Sequence, residues 1–382
     1  MTVLALTGGR VLTAEGLRAD ATVLVMDGVI LDIVARPPSG AEIRRLAESD
    51  ILAPGFIDVQ ANGGGGVLFN TTPTAEAALA IAAAHRRYGT TSLLPTLITD
   101  RPEVMAQAVA AAREAMTHPD GGVAGIHLEG PFLSPKRPGV HDPRLIRRMA
   151  AEDASWITAQ APSLPLLLTL APEEVEDDFL EMLARAGAIL SAGHTAASFE
   201  RIGEAVALGL TGVTHLYNAM PPLVGREPGP VGAALLDDGL WCGLIVDGVH
   251  VHAASLKLAL AARPAERMLL VTDAMSVLGT TDESFQLYGE TIVRRRGRLE
   301  RADGTLAGAD LDMATAVHNS VSLLGLDLAR ALRMASTYPA AFMHLTDRGR
   351  IAPGLRADFV LLSETLGVRD TWVGGRSAAL SG

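Results

Sequence analysis

Residues 188–220 read AILSAGHTAASFERIGEAVALGLTGVTHLYNAM. An apolar run ends in His194, a helical spacing of Ile202, Ala205, Val206 and Leu208 follows, and a second apolar run ends in His215. The two histidines therefore stand one strand–helix unit apart, each where its strand stops. In a parallel sheet that register puts both rings over the carboxyl edge, where α/β proteins gather their chemistry. A lone histidine there is most often an unrelated polar loop residue. Two at matching positions point to a metal.

The same alternation extends in both directions. Apolar β runs at 56–61, 91–97, 123–129, 165–171, 188–194, 212–218, 241–247 and 268–273 are separated by alanine-rich helical patterns such as TAEAALAIAAAHRRYG and RPEVMAQAVAAAREAM. Eight β/α units in series predict an α/β fold, a (β/α)8 TIM barrel, over 53–349; a doubly wound open sheet is the alternative, because periodicity does not report closure. Residues 1–52 and 350–382 are instead short β runs broken by turns, including a hairpin signal at Asp27-Gly28. Neither end is long enough to stand alone, so the two are expected to pair into one small β-sandwich domain. Around 279–307 the pattern changes to FQLYGETIVRRRGRLERADG, read as a β-hairpin inserted after the eighth strand, with Arg294 to Arg296 on a solvated strand or turn.

Composition narrows the function. A net charge of −11 over 382 residues argues against nucleic acid or an anionic membrane as partner. An anionic substrate would need a local basic pocket. The one cysteine, Cys242, excludes an internal disulfide and a thiolate metal cluster, and sits in an apolar strand as an inert thiol. The first residues lack the cationic start and long apolar run of a signal peptide, and no run is long enough to span a membrane. A cytoplasmic enzyme is expected.

Polar side chains stand at almost every strand end: Asp58, Gln60 and Asn62; His127 and Glu129; His194; His215 and Asn218; Asp247 and His250; Asp273. Glu129, His194 and His215 make a mixed Glu/His set that leaves a fourth position open for water, the pattern of a catalytic zinc, with Asp273 beside it as general base. Such a set performs metal-assisted hydrolysis of an amide or ester. Asp58 and Asp247 are read as orienting neighbours. His127 serves either behind the ligands or as a packed core residue. His85, His118, His318 and His344 have no matching partner and are structural or surface, and His252 marks a helix start. The Gly63 to Gly66 run lacks the Lys-Ser/Thr ending of a phosphate loop and is read as a flexible loop near the substrate.

The motifs PGFIDVQANGGGG, GIHLEGPF, GVHDP, SAGHT, THLYNAM followed by GREPG, DGVHV and LLVTDA occur in this order and spacing. Together they resemble the N-acetylglucosamine-6-phosphate deacetylases of the amidohydrolase superfamily, over nearly the whole chain. The resemblance implies that Glu129, His194 and His215 hold the metal and that Asp273 is the base. It implies that His141, Asn218, Ala219 and His250 hold the sugar hydroxyls, the phosphate and the N-acetyl group; the mechanism expected from these residues adds His250 to the metal at the oxyanion. Arg226 matches an arginine that reaches the phosphate in the neighbouring subunit, which implies a homodimer. Gln60 and Asn62 stand where most of the superfamily has His-x-His for a second metal. Amides are poor ligands, so one divalent metal per subunit is expected, zinc by preference. The segments AMSVLG after Asp273 and AGADLDM after the insertion depart from the usual family pattern and bear on which sugar and acyl group are accepted.

Overall fold

The computed structural model describes residues 2–378; Met1 and residues 379–382, the outermost parts of the expected β-sandwich segments, lie outside the described residues. Eight parallel strands succeed one another in one sheet: β1 (Phe56–Ala61), β2 (Thr90–Ile98), β3 (Ile126–Glu129), β4 (Leu166–Leu170), β5 (Ile189–Ala192), β6 (Leu210–Val213), β7 (Trp241–Leu244) and β8 (Met268–Leu270). The ring closes where β8 runs on past β1: the Asp273 N–H donates to Gln60 O (2.9 Å) and the Asn62 N–H to Ala274 O (2.9 Å). This is the (β/α)8 barrel, not the open sheet. Strands such as LLLTL of β4 are buried on both faces, which is why they read as unbroken apolar runs. The helices begin where their sequences say: Thr74 and Ser198 each accept a backbone N–H at a helix start, and Pro102 opens the helix after β2.

Two expectations need correction. β5 and β6 are shorter than the apolar runs around them, and His194 and His215 lie just beyond their ends in left-handed backbone (φ 48° and 32°), which cannot continue a ladder. The insertion is also more than a hairpin. Ser284–Leu287, Glu290–Arg295, Arg298–Glu300 and Leu306–Ala309 form a four-stranded antiparallel meander. Its first two turns, Tyr288-Gly289 and Arg296-Gly297, have positive φ at both residues although neither carries the usual Asn-Gly or Asp-Gly. Within it, Arg294 is not a free surface charge: its guanidinium forks onto Asp310 (2.6 and 2.9 Å).

The chain ends build two further sheets. Leu4–Thr7, Thr22–Met26, Val29–Val34 and Glu42–Arg45 form one; Arg10–Thr13, Gly16–Arg18 and Ile51–Pro54 join Phe359–Leu362, Val368–Val373 and Arg376–Ser377 in the other. Leu6, Val23, Ile30, Leu52, Phe359 and Trp372 share one buried cluster drawn from both sheets. Asp27 and Gly28 form the tight turn between two of the strands, both at positive φ (52° and 80°).

Asp58 ties the barrel seam. One oxygen accepts the Gln60 N–H (3.1 Å) and the Thr272 N–H (3.3 Å), and the other accepts the Thr272 hydroxyl. Burial pushes its carboxyl from 3.8 up to about 7, against the pull of those hydrogen bonds. A carboxyl with a raised folded pKa binds its proton more tightly in the native state. Its contribution is therefore complete below about pH 4 and is lost as pH rises to about 7, a swing of at most about 4 kcal/mol. The Tm of Asp58→Asn, measured relative to wild type, is expected to rise between about pH 5 and about pH 8. Melting curves that keep a constant separation over that range would remove Asp58 as a source of pH-dependent stability.

Candidate metal centre and substrate cavity

Glu129 ends β3, His194 and His215 stand just past β5 and β6, and Asp273 just past β8. Asp273 shares the left-handed backbone of the two histidines (φ 51°). Each such non-glycine residue costs of order 1–3 kcal/mol and persists only where the surroundings enforce it. Around His194 the enforcement is visible. The Ser134 N–H donates to His194 O (2.9 Å), and at Gly193 a Cβ would lie 2.6 Å from Thr169 Cγ2, so SAGH needs its glycine for close approach.

Glu129 Oε1 lies 3.0 Å from His215 Nε2 and 3.1 Å from His194 Nε2, and the two nitrogens are 3.1 Å apart. All three side chains are buried. Three lone-pair atoms this close repel unless positive charge lies among them. Burial disfavours a charged His215, yet Glu129 outweighs it and raises the ring's pKa; the same contacts with His194 and His215 hold the Glu129 carboxyl well below the usual range despite its own burial. Ligands 2.0–2.1 Å from a tetrahedral zinc sit about 3.3 Å from one another, so this donor set fits a small divalent metal. His194 Nδ1 donates to Arg137 O (3.0 Å), which fixes the tautomer with its Nε2 lone pair towards the cluster.

His141 adds a further nitrogen: ligand atoms of Glu129, His141 and His194 lie within 4.8 Å of one another. Its Nδ1, however, accepts the Thr99 backbone N–H (3.2 Å) beside the Thr99 hydroxyl (2.7 Å). The neutral ring then carries its proton on Nε2, which faces Glu129 Oε1 at 3.9 Å. We read His141 as a hydrogen-bond donor and Glu129, His194 and His215 as the ligand set.

Gln60 and Asn62 hold carboxylates. Gln60 Nε2 donates to Glu129 Oε2 (3.1 Å) and Asp273 Oδ1 (3.2 Å), and Asn62 Nδ2 donates to Asp273 Oδ1 (2.7 Å). Burial, then repulsion from Glu129, push the Asp273 carboxyl up to about 6. Opposite, Asp247 accepts from His250 Nδ1 (2.6 Å) and from two backbone N–H groups of its own turn. Burial of Asp247 is outweighed by those bonds, and its pKa is lowered.

A cavity of about 400 Å³ opens over the cluster, and Asn62, His141, Asn218, Ala219, His250 and Asp273 line it with Glu129, His194 and His215. Arg226 does not line it; it is exposed on the two-residue turn between Val224 and Glu227. His127 points elsewhere, to the Thr169 and Thr96 hydroxyls inside the barrel (2.8 and 3.3 Å), with burial pushing its pKa down to about 4. His252 caps a helix, its Nδ1 accepting the Ala254 N–H (3.1 Å). Sequence reading missed Lys136 and Arg137, which also line the cavity, and Thr305, Leu306 and Gly308 from the meander. The cations carried a signal: a basic pair between two prolines, just after Glu129, in an acidic chain.

Comparison with known proteins finds relatives over nearly the whole chain. The chain is 41% identical over 373 residues to an N-acetylgalactosamine-6-phosphate deacetylase of Shewanella sp. (strain ANA-3), covering 96% of this chain and 94% of that one. It is 34% identical to an N-acetylglucosamine-6-phosphate deacetylase of Haemophilus influenzae, with 92% and 93% covered. The crystal structure of N-acetylglucosamine-6-phosphate deacetylase from Pasteurella multocida superposes with a TM-score of 0.95 at 32% identity, over 99% of this chain and 100% of that one. The Amidohydrolase family model matches residues 51–378. By its barrel, by these relatives and by that match, the chain belongs to the amidohydrolase family.

Proposed function

We propose that this chain hydrolyses the N-acetyl group of N-acetylglucosamine 6-phosphate, giving glucosamine 6-phosphate and acetate. The observation that carries the reading is the convergence of Glu129, His194 and His215 on one point, with Asp273 tied to Glu129 across the Gln60 amide. A metal held by those three residues, one per subunit and zinc by our choice, supplies Lewis acidity that acidifies water and polarises an amide carbonyl.

The side chains supply the remaining chemistry. Asp273, with its raised pKa, is a stronger base than an ordinary aspartate and is still mostly ionised near neutral pH. It takes a proton from water as the water oxygen bonds to the acetyl carbon, and returns it to the sugar nitrogen as the C–N bond breaks. Gln60 and Asn62 hold it through Oδ1. The Nε2–H of His141 faces the cluster and donates to the acetamide oxygen as charge develops there. His250, fixed by Asp247, and Asn218 with the Ala219 backbone engage the sugar and its phosphate.

In this reading the catalytic unit spans 53–349 and works in the cytoplasm. Two copies pair so that Arg226, beside the exposed Leu223 and Val224, reaches the phosphate in the other copy's cavity. A second reading, the 4-epimer N-acetylgalactosamine 6-phosphate as substrate, is favoured by the 41% identity to a deacetylase of that sugar.

Purified protein given each 6-phosphate epimer is expected to release amine and acetate in equal amounts, with about one metal per chain, activity lost to a chelator and restored by zinc. The epimer with the higher kcat/KM decides between the two readings, and turnover of neither overturns both. Asp273→Asn is expected to keep its metal and to lose at least about a hundredfold in kcat. A variant retaining most of its turnover would remove Asp273 as the base.

A further inference from the structure

The segment from Ser134 to His141 is anchored at both ends and in the middle. Besides the Ser134 bond to His194 O and the Arg137 carbonyl on His194 Nδ1, the Thr99 backbone N–H holds His141. Gly139 (φ 56°) packs so close that a Cβ there would sit 2.9 Å from His194 Cε1. Between these anchors Lys136 and Arg137 face the cavity, Lys136 exposed and Arg137 half-buried. Among the described residues neither side chain makes a hydrogen bond or an ion pair, whereas the next three arginines are neutralised: Arg144 by Asp142, Arg147 by Asp153 and Arg148 by Glu176. Lys136 is one of only two lysines in a chain of net charge −11. Uncompensated positive charge is thus held at the cavity rim while the ligand cluster lies buried at its floor.

We propose that Lys136, supported by Arg137, recognises the substrate's phosphate from within the same subunit, as a specificity determinant separate from Arg226. The inference rests on the amino-sugar phosphate reading above. In a pyranose, C2 and C5 lie across the ring from one another. An N-acetyl group on C2 drawn down to the cluster therefore directs the C6 phosphate up to the rim, where the anchored segment presents its cations. An ammonium acts there as a point charge that tolerates either epimer at C4, so it selects for phosphate and not for the sugar.

The test compares the zinc-loaded wild type with Lys136→Ala and Lys136→Arg on N-acetylglucosamine 6-phosphate and on N-acetylglucosamine without phosphate. For Lys136→Ala the ratio of the two kcat/KM values is expected to fall about tenfold, through KM, with metal content unchanged, while Lys136→Arg keeps most of the ratio. Competitive inhibition by inorganic phosphate should weaken in parallel. An unchanged ratio, or equal losses on both sugars, overturns the proposal. If the wild type turns over neither sugar, the deacetylase reading fails by itself, and calorimetric binding of inorganic phosphate still decides: tighter in wild type than in Lys136→Ala supports a phosphate-reading rim, and equal affinity overturns it.

Discussion

The architecture depends on holding a carboxylate and two imidazole nitrogens about 3 Å apart in a buried place. In water such a trio disperses. Here each member is supplied by a different strand of a closed barrel, whose parallel register delivers its carboxyl ends to one rim. The strain of the left-handed turns at His194, His215 and Asp273 is the local cost of aiming side chains inward at the end of a strand. It is sustained by the glycine at 193, by the backbone bonds around His194 and by the seam bonds that fix Asp273.

Around that trio the polar groups divide by what they can donate or accept. Positions 60 and 62 carry amides, which bring N–H groups to two carboxylates and so offset the repulsion between Glu129 and Asp273. His141 is turned into a donor by a backbone N–H behind it, and His250 is oriented by the carboxylate of Asp247. In each case a partner behind the ring decides what the ring offers to the cavity.

Much of this was legible in the sequence because parallel strands buried on both faces are written as apolar runs, and because residues at successive strand ends share one rim. Glu129, His194, His215 and Asp273 fall together for that reason. What stayed hidden follows from three-dimensional context. β5 stops two residues and β6 five residues before the end of its apolar run, with the backbone turning left-handed at His194 and His215, since the apolar residues after them pack in loops. The meander was read only as a hairpin because its first two turns use Tyr-Gly and Arg-Gly, and Arg294 looked solvated because it finds its carboxylate only after the chain has doubled back to Asp310. Lys136 and Arg137 lie in a loop with no period to read, and their aim depends on His194, which lies on another β/α unit.

The residues proposed as metal ligands and the residue proposed for proton transfer also differ in when they become available. Glu129 ends a strand and His194 and His215 follow two others in the middle of the chain, whereas Asp273 meets Gln60 and Asn62 only at the seam where the last strand joins the first. A chain emerging from the ribosome presents Glu129, His194 and His215 well before the closing strand is made. In the roles proposed above, the residues that would hold a cation are thus synthesised before the carboxylate that would move the proton, and the two groups come together only when the last strand closes on the first.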